Sequence, residues 1–202
     1  MNKITSKDWT GNKTSIYKTL GASNHTEKVR EENDYYATDP KAIDLLCDVE
    51  QFNESILEPA CGEGHLSKRL IEKGYRVYSY DLIFRGYGMQ RDFFNTSAWH
   101  GDIITNPPYK FAKDFVEKSL SIIPPGNKVA MFLKLQFLEG KLRKKLFKTY
   151  PPKTIYVSSS RLLCAKNADF EGMINGGGSA VAYAWYVWEK GFSGKTTIEW
   201  IN

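Results

Sequence analysis

The residues best suited to chemistry are Asn106-Pro107-Pro108-Tyr109, which follow an apolar run at residues 103–105. An amino group on a planar, conjugated carbon is a poor nucleophile, because its lone pair is delocalised. Two acceptors facing its protons would favour a pyramidal nitrogen and direct the lone pair outward. We expect the Asn106 side-chain carbonyl and the Pro107 backbone carbonyl to be these acceptors, while the prolines stiffen the turn. Tyr109 provides a flat face on which a base could stack. An ordinary proline-rich turn is the alternative interpretation.

A glycine-rich turn at residues 58–64 lies between a predicted strand at residues 55–59 and a predicted helix at residues 65–73. Gly62 and Gly64 would let a ligand approach the backbone closely. Ser67 occupies the place of the third glycine of a dinucleotide fingerprint, which argues against a nicotinamide cofactor. A tight turn without a ligand remains the alternative.

Acidic residues end the next two predicted strands. Asp81 closes the second strand, where a carboxylate can accept hydrogen bonds from both ribose hydroxyls of a nucleoside. Asp92 and Phe93 end the third strand, where the acid could accept from an adenine amino group and the ring could flank the base. Each could also be an ordinary residue of a strand-end turn.

Strands alternate with helices along the chain, which predicts an α/β fold with a mostly parallel sheet and helices on both faces. The order of elements after residue 154 predicts an antiparallel end to the sheet. With 202 residues, 42% of them hydrophobic, the chain is long enough for one sizeable domain. We expect an irregular polar arm at residues 1–34 and a single domain at residues 35–202.

Several classes of protein are disfavoured by composition. No apolar run predicts a membrane span and no leader opens the sequence, so the expected location is the cytoplasm. Cys47, Cys61 and Cys164 lack metal-ligand or disulfide spacing, and the three histidines are scattered, so we expect no metal.

The chain has a formal net charge of +5, and its clearest electrostatic feature is a basic cluster. It comprises Lys141, Arg143, Lys144, Lys145 and Lys148 on a predicted helix at residues 140–150. A solvated helix face and a phosphate-contacting surface are both open interpretations. The loop at residues 161–178 is long enough to suggest a functional flap, and Phe170 is its only aromatic residue.

Three sequence blocks together resemble the S-adenosylmethionine-dependent adenine-N6 DNA methyltransferases of bacteriophages and prophages. The blocks are Tyr35-Tyr36-Ala37-Thr38-Asp39-Pro40, residues 57–66, and Asp102-Ile103-Ile104-Thr105-Asn106-Pro107-Pro108-Tyr109. Their order, cofactor blocks before the catalytic block, is similar to the gamma arrangement of these enzymes. The resemblance covers residues 35–200 and implies a Rossmann-like class I methyltransferase fold with S-adenosylmethionine as cofactor and DNA as partner.

The resemblance also implies a role for individual residues. The expected cofactor-binding set is Tyr36, Thr38, Glu58, Ala60, Gly62, Gly64, Asp81, Asp92 and Phe93. The expected catalytic set is Asn106, Pro107, Pro108 and Tyr109. Phe170 lies where the family often brings a second aromatic residue against a base rotated out of the duplex.

Two departures from the family leave alternatives open. Only 44 positions separate Gly62 from Asn106, which predicts an abbreviated third strand–helix unit, and we expect no large target-recognition domain after the catalytic core. Glutamine-N5 methylation of a release factor uses the same motif, but such enzymes usually carry an added substrate domain. Methylation of adenine in RNA and a non-catalytic nucleic-acid-binding module also remain open. The target sequence, the strand preference and the oligomeric state are not predicted.

Overall fold

The computed structural model describes residues 36–160, 162, 164–166 and 181–202. The predicted arm at residues 1–34 and the predicted flap residue Phe170 lie outside the described residues. The strands in the described part are β1 (Tyr36–Thr38), β2 (Ser55–Glu58), β3 (Arg76–Asp81), β4 (Met89–Gln90), β5 (Asp102–Thr105), β6 (Lys128–Lys134), β7 (Thr154–Ser158), β8 (Cys164–Lys166), β9 (Tyr183–Glu189) and β10 (Thr197–Ile201). The α-helices there are α1 (Lys41–Val49), α2 (His65–Glu72), α3 (Ala112–Ile122) and α4 (Lys141–Thr149).

Eight of these strands form one sheet in the order β10-β7-β9-β6-β5-β2-β3-β4. Every neighbouring pair is parallel except the two that involve β9, which runs antiparallel to both β6 and β7. The mostly parallel sheet with an antiparallel end is therefore confirmed. The antiparallel strand lies third from that edge, and β10 then pairs in parallel with β7.

Both faces of the sheet are covered, because buried strand side chains alternate between two apolar cores. Leu57, Ile103 and Val129 belong to one core, into which α3 and α4 also pack. Ile56 and Ile104 belong to the other, which is filled by α1 and α2. Strands buried along their whole length, such as β5 with all four residues buried, are expected in a parallel sheet between two helix layers.

The parallel strands bring their carboxyl ends to one edge of the sheet. Glu58 ends β2, Asp81 ends β3, and Asn106 directly follows β5. Strand β2 lies between β3 and β5. The chain continues from β2 to β3 and β4 on one side, and then crosses to form β5 on the other side of β2. Ligands of open α/β sheets bind at such a reversal of strand order. The predicted third strand, residues 88–93, is shorter than expected: β4 contains only Met89 and Gln90, and a 3-10 turn follows at Phe93–Asn95.

A two-stranded ribbon stands apart from the main sheet. Strand β1 pairs antiparallel with β8, with Tyr36 opposite Lys166 and Thr38 opposite Cys164. This ribbon was not predicted, since residues 161–178 were expected to be a loop. None of the helices in the described ranges has the length and apolar character of a membrane span. Those ranges also contain no cluster of metal-ligating side chains.

Candidate active site at the carboxyl edge of the sheet

A cavity of about 550 Å³ opens at the carboxyl edge of β2, β3 and β5. A cavity of this size is typical of sites for small ligands and cofactors. Its lining includes nine of the predicted site residues: Tyr36, Thr38, Glu58, Ala60, Asp81, Asp92, Phe93, Asn106 and Pro108. Side chains separated by up to 72 positions in the sequence therefore share one cavity.

The glycine-rich turn connects β2 to α2 and forms one wall. Gly62 has φ 53° and Gly64 has φ 81°, conformations that disfavour a side chain. A Cβ at Gly64 would also come within 2.3 Å of the Tyr87 ring. Neither glycine lines the cavity, whereas Ala60 and Cys61, which precede Gly62 in the turn, do. The glycines thus shape the turn, and their neighbours present its inner surface.

Asp81 ties two segments of the cavity wall together. Its Oδ2 accepts a hydrogen bond of 2.8 Å from the Gly62 backbone N–H. Its Oδ1 accepts one of 2.9 Å from the Ile83 backbone N–H. Each carboxylate oxygen has two acceptor sites, so capacity for a ligand hydroxyl remains on both. The side chain therefore braces the glycine turn and stays available to a ligand.

Aromatic rings form the wall beyond β4. Asp92 caps the 3-10 turn through a 2.9 Å hydrogen bond from the Phe94 N–H to its Oδ1. Phe93 is only 3% exposed and stacks on Phe115, with 5.0 Å between ring centroids. Phe94 is 41% exposed and also lines the cavity. Both rings therefore line the cavity, and Phe94 is more accessible than Phe93, the residue predicted to flank an adenine base.

Glu58 is a buried carboxyl group in the cavity wall. Burial raises its pKa from 4.5 to about 8, although hydrogen bonds from the Ser67 hydroxyl and backbone oppose this shift. The Ser67 hydroxyl also lies 2.5 Å from the Ser79 hydroxyl. Ser67, which replaces the third glycine of a dinucleotide fingerprint, therefore has a defined structural role as the partner of Glu58.

This raised pKa predicts a pH dependence of stability. Between about pH 5 and pH 8 the folded chain keeps a proton on Glu58 that the unfolded chain releases. The free energy of unfolding should therefore fall as pH rises through this window, by up to about 1.4 kcal/mol per pH unit. Glu58→Gln, which stays neutral, should flatten that slope in urea unfolding measured without ligand. Glu54, an exposed residue just before the same strand, provides the control: Glu54→Gln should keep the wild-type slope. Equal slopes for wild type and Glu58→Gln would contradict this assignment.

Asn106 has the most distinctive hydrogen bonding in the site. Its Nδ2 donates to the Tyr36 carbonyl at 3.0 Å and to Thr38 Oγ1 at 2.8 Å. Its Oδ1 is buried and accepts no hydrogen bond from any residue that the structure describes. Of the buried side-chain atoms left unpaired within that part of the chain, only Asn106 Oδ1 belongs to a residue of the cavity wall. An unpaired buried acceptor costs about 1–3 kcal/mol, so a donor from a water molecule or a ligand is the expected partner.

The Tyr109 ring does not line the cavity and instead packs against its neighbours. Its hydroxyl lies 3.1 Å from the Cys164 thiol, and burial raises its pKa well above 10. The Tyr36 ring stacks on it at 6.0 Å between centroids. Lys134 Nζ lies 4.7 Å from the centre of the Tyr109 ring. Pro107 is buried and also lies outside the cavity lining, which includes Pro108.

The basic residues of α4 lie apart from the cavity. Lys141, Lys144 and Lys148 border a separate shallow hollow with Leu138 and Phe147. Four of the five basic residues are exposed, and among the described residues none of the five forms a salt bridge. Arg143 differs, because its guanidinium lies 5.4 Å from the centre of the Phe137 ring and donates to the Glu139 carbonyl. Leu146, which is buried, anchors the opposite side of the helix.

Several cavity residues were missed by sequence analysis. They are Ala37, Pro59, Cys61, His65, Leu66, Leu82, Ile83, Arg85, Phe94, Lys110, Phe111 and Phe115. Residues 82 and 83 directly follow Asp81, and residues 110 and 111 directly follow the Asn106–Tyr109 motif. Proximity to a predicted site residue was therefore the available signal for these four.

Comparisons with known proteins identify the fold. Neither protein-family models nor curated proteins gave a match to this chain. Among solved structures, a protein of Listeria monocytogenes assigned to the class I S-adenosylmethionine-dependent methyltransferases matches with a TM-score of 0.55 at 15% identity, over 92% of this chain and 71% of that one. A protein of Pyrococcus horikoshii assigned as an RNA methyltransferase matches with a TM-score of 0.53 at 14% identity, over 89% and 99% of the two chains. The type IIG restriction endonuclease BpuSI matches with a TM-score of 0.50 at 11% identity, over 75% of this chain and 24% of its own.

The sheet order, the antiparallel strand β9 and these neighbours define one class of architecture. The chain has the Rossmann-like class I methyltransferase fold. The cavity described above lies at the carboxyl edge of that fold, where its ligands are expected.

Proposed function

We propose that the protein transfers a methyl group from S-adenosylmethionine to the N6 amino group of adenine in DNA. The observation that carries the proposal is the unpaired, buried Asn106 Oδ1 in the wall of the cavity. An N–H donor would satisfy this atom, and an exocyclic amino group supplies one. The resemblance of the sequence blocks to adenine-N6 DNA methyltransferases supports the same substrate.

The residues of the cavity fit S-adenosylmethionine. Asp81 has acceptor capacity for ribose hydroxyls, and Phe94 offers an accessible ring for a flat base. Glu58 and Asp92 add polar groups to the wall. The class I methyltransferase fold of the structural neighbours favours this cofactor over a nicotinamide dinucleotide. When bound, S-adenosylmethionine supplies an electrophilic methyl group, and its sulfur takes the electron pair of the broken bond.

Asn106 activates the acceptor amine in this mechanism. Its Oδ1 accepts a hydrogen bond from one amine N–H, which favours a pyramidal nitrogen and directs the lone pair away from the ring. The Pro107 carbonyl is the proposed second acceptor. The site otherwise contributes proximity and orientation, which together lower the barrier to an in-line displacement. The methylated amine then loses its proton to water, so no side-chain base is required.

The positive charge of α4 supports a nucleic acid as the partner. The lysines of α4 are exposed and form no ion pair within the described part of the chain, as expected of side chains that meet phosphates. Helix α4 returns from β6 to β7, so its amino end faces the edge of the sheet that carries the cavity. Lys110 and Lys134 place two more cations at this edge. Phe170 stays a predicted second aromatic residue for the flipped base.

We predict that the lysines of α4 control the salt dependence of DNA binding. Lys144→Gln combined with Lys148→Gln should reduce the slope of log K against log salt by about 1–2, because fewer counterions are released. The matched control neutralises Arg76 and Lys195, two exposed residues at the opposite edge of the sheet. That control should keep the wild-type slope. If the slope of the Lys144 and Lys148 variant also stays unchanged, the helix is a solvated face.

RNA is the second candidate substrate, because the Pyrococcus horikoshii neighbour is assigned as an RNA methyltransferase. A transfer assay with labelled methyl donor should be run in parallel on unmethylated DNA, on RNA of the same sequence and on a glutamine-containing protein. Incorporation into DNA above the other two is the expected result. Incorporation into RNA alone would identify RNA, in place of DNA, as the substrate. Incorporation into protein alone would identify a protein methyltransferase. Donor binding without transfer to any polymer would indicate a non-catalytic module.

A further inference from the structure

The side-chain amide of Asn106 is held on one side only. Its Nδ2 contacts three groups on the β1–β8 ribbon: the Tyr36 carbonyl at 3.0 Å, Thr38 Oγ1 at 2.8 Å and Cys164 Sγ at 3.4 Å. The ribbon is antiparallel, with Thr38 opposite Cys164. Two strands of three residues therefore bring all three groups to the Asn106 amide.

These contacts determine which way the amide faces. An amide group has two donors on nitrogen and only acceptors on oxygen. If the amide rotated by half a turn, Oδ1 would face the Tyr36 carbonyl, which is also an acceptor, and one hydrogen bond would become a repulsion. Thr38 accepts the second N–H, which would otherwise be buried without a strong partner. The Tyr36 carbonyl thus selects the orientation, and Thr38 holds the amide in it.

We propose that Thr38 is a positioning residue that acts on the reaction through Asn106. This inference rests on the proposed function, since it assigns Asn106 Oδ1 to the acceptor amine. The sequence resemblance implied a different role, with Thr38 beside the methionine part of the cofactor. The structure gives its hydroxyl a partner on the substrate side instead. The two roles make opposite predictions about which constant changes when the hydroxyl is removed.

Thr38→Val should lower turnover by about tenfold, the effect of roughly one hydrogen bond. The dissociation constant of S-adenosylmethionine, measured by calorimetry, should stay within about twofold of wild type. Thr38→Ser should restore turnover, because it returns the acceptor oxygen. Thr154→Val is the matched control: Thr154 is also buried and hydrogen-bonded, but it lies on β7 beside Thr197. That variant should lose stability without losing turnover.

A double-mutant cycle with Asn106→Ala separates positioning from general destabilisation. If Thr38 acts only through Asn106, adding Thr38→Val to Asn106→Ala should cause no further loss of turnover. A further tenfold loss in the double variant would overturn the inference while leaving the proposed function intact. Wild-type turnover in Asn106→Ala alone would instead overturn the proposed function.

A measurement independent of activity completes the test. In protein labelled with 15N-asparagine, the Asn106 side-chain amide is the resonance that disappears in Asn106→Ala. Its two protons should exchange slowly with solvent in the wild type, and at least one should exchange about tenfold faster in Thr38→Val. Unchanged exchange in Thr38→Val, or weaker cofactor binding with normal turnover, would contradict the positioning role and indicate that Thr38 binds the cofactor.

Discussion

Asn106→Ala is expected to lower turnover by about 10²–10³-fold while leaving the affinity for S-adenosylmethionine nearly unchanged. The substitution removes the one buried side-chain acceptor in the cavity wall that lacks a partner among the described residues. Loss of a preorganised hydrogen bond to the reacting group has effects of this size in other enzymes. Single-turnover kinetics and calorimetry on the same preparation would separate the two constants.

Two further variants sharpen this prediction. Asn106→Asp replaces the amide nitrogen with an oxygen that would face the acceptor carbonyl of Tyr36 at 3.0 Å, so it should also be poorly active. Asn53→Ala removes an exposed asparagine at the opposite edge of the sheet and should behave as wild type. Normal turnover in Asn106→Ala would remove Asn106 from the mechanism.

Asp81→Ala is expected to weaken cofactor binding by about 1–3 kcal/mol, or roughly 5–150-fold. The side chain would supply a charged acceptor to the ribose hydroxyls. It also accepts hydrogen bonds from Gly62 and Ile83, so its loss loosens two segments of the cavity wall. Calorimetric titration with S-adenosylmethionine and with its demethylated product measures the effect directly.

Asp114→Ala is the matched control, because Asp114 is exposed on α3 and does not line the cavity. It should bind the cofactor as tightly as wild type does. An Asp81→Ala variant with wild-type affinity would contradict the assignment of this carboxylate. Tight binding of a nicotinamide dinucleotide, without binding of the methyl donor, would contradict the choice of cofactor.

The positions of predicted site residues followed from the sequence where the fold itself places them. Glu58, Asp81 and Asn106 each end or follow a parallel strand, and the carboxyl ends of neighbouring parallel strands necessarily meet at one edge. Apolar runs and turn residues were therefore sufficient to bring these three side chains together. The same logic predicted the helix layers on both faces of the sheet.

The prediction was weaker where long-range pairing decides the structure. Strands β1 and β8 have three residues each, and their pairing joins positions more than 120 apart in the sequence. No periodicity develops over three residues, so Cys164 and the Asn106 contacts on this ribbon could not be foreseen. Phe93 and Phe94 both line the cavity, and the sequence did not indicate that Phe94 is the more exposed of the two, for a related reason. Adjacent aromatic residues in a 3-10 turn give no sequence signal for which ring enters the core.

The central claim is that adenine N6 receives the methyl group through its contact with Asn106. The most direct measurement is to digest unmethylated DNA after reaction with labelled methyl donor and to identify the modified nucleoside by mass spectrometry. We predict N6-methyladenine as the labelled product of the wild-type protein and only trace amounts of it from Asn106→Ala. Label on another atom or another base, or equal yields of N6-methyladenine from both proteins, would contradict the account.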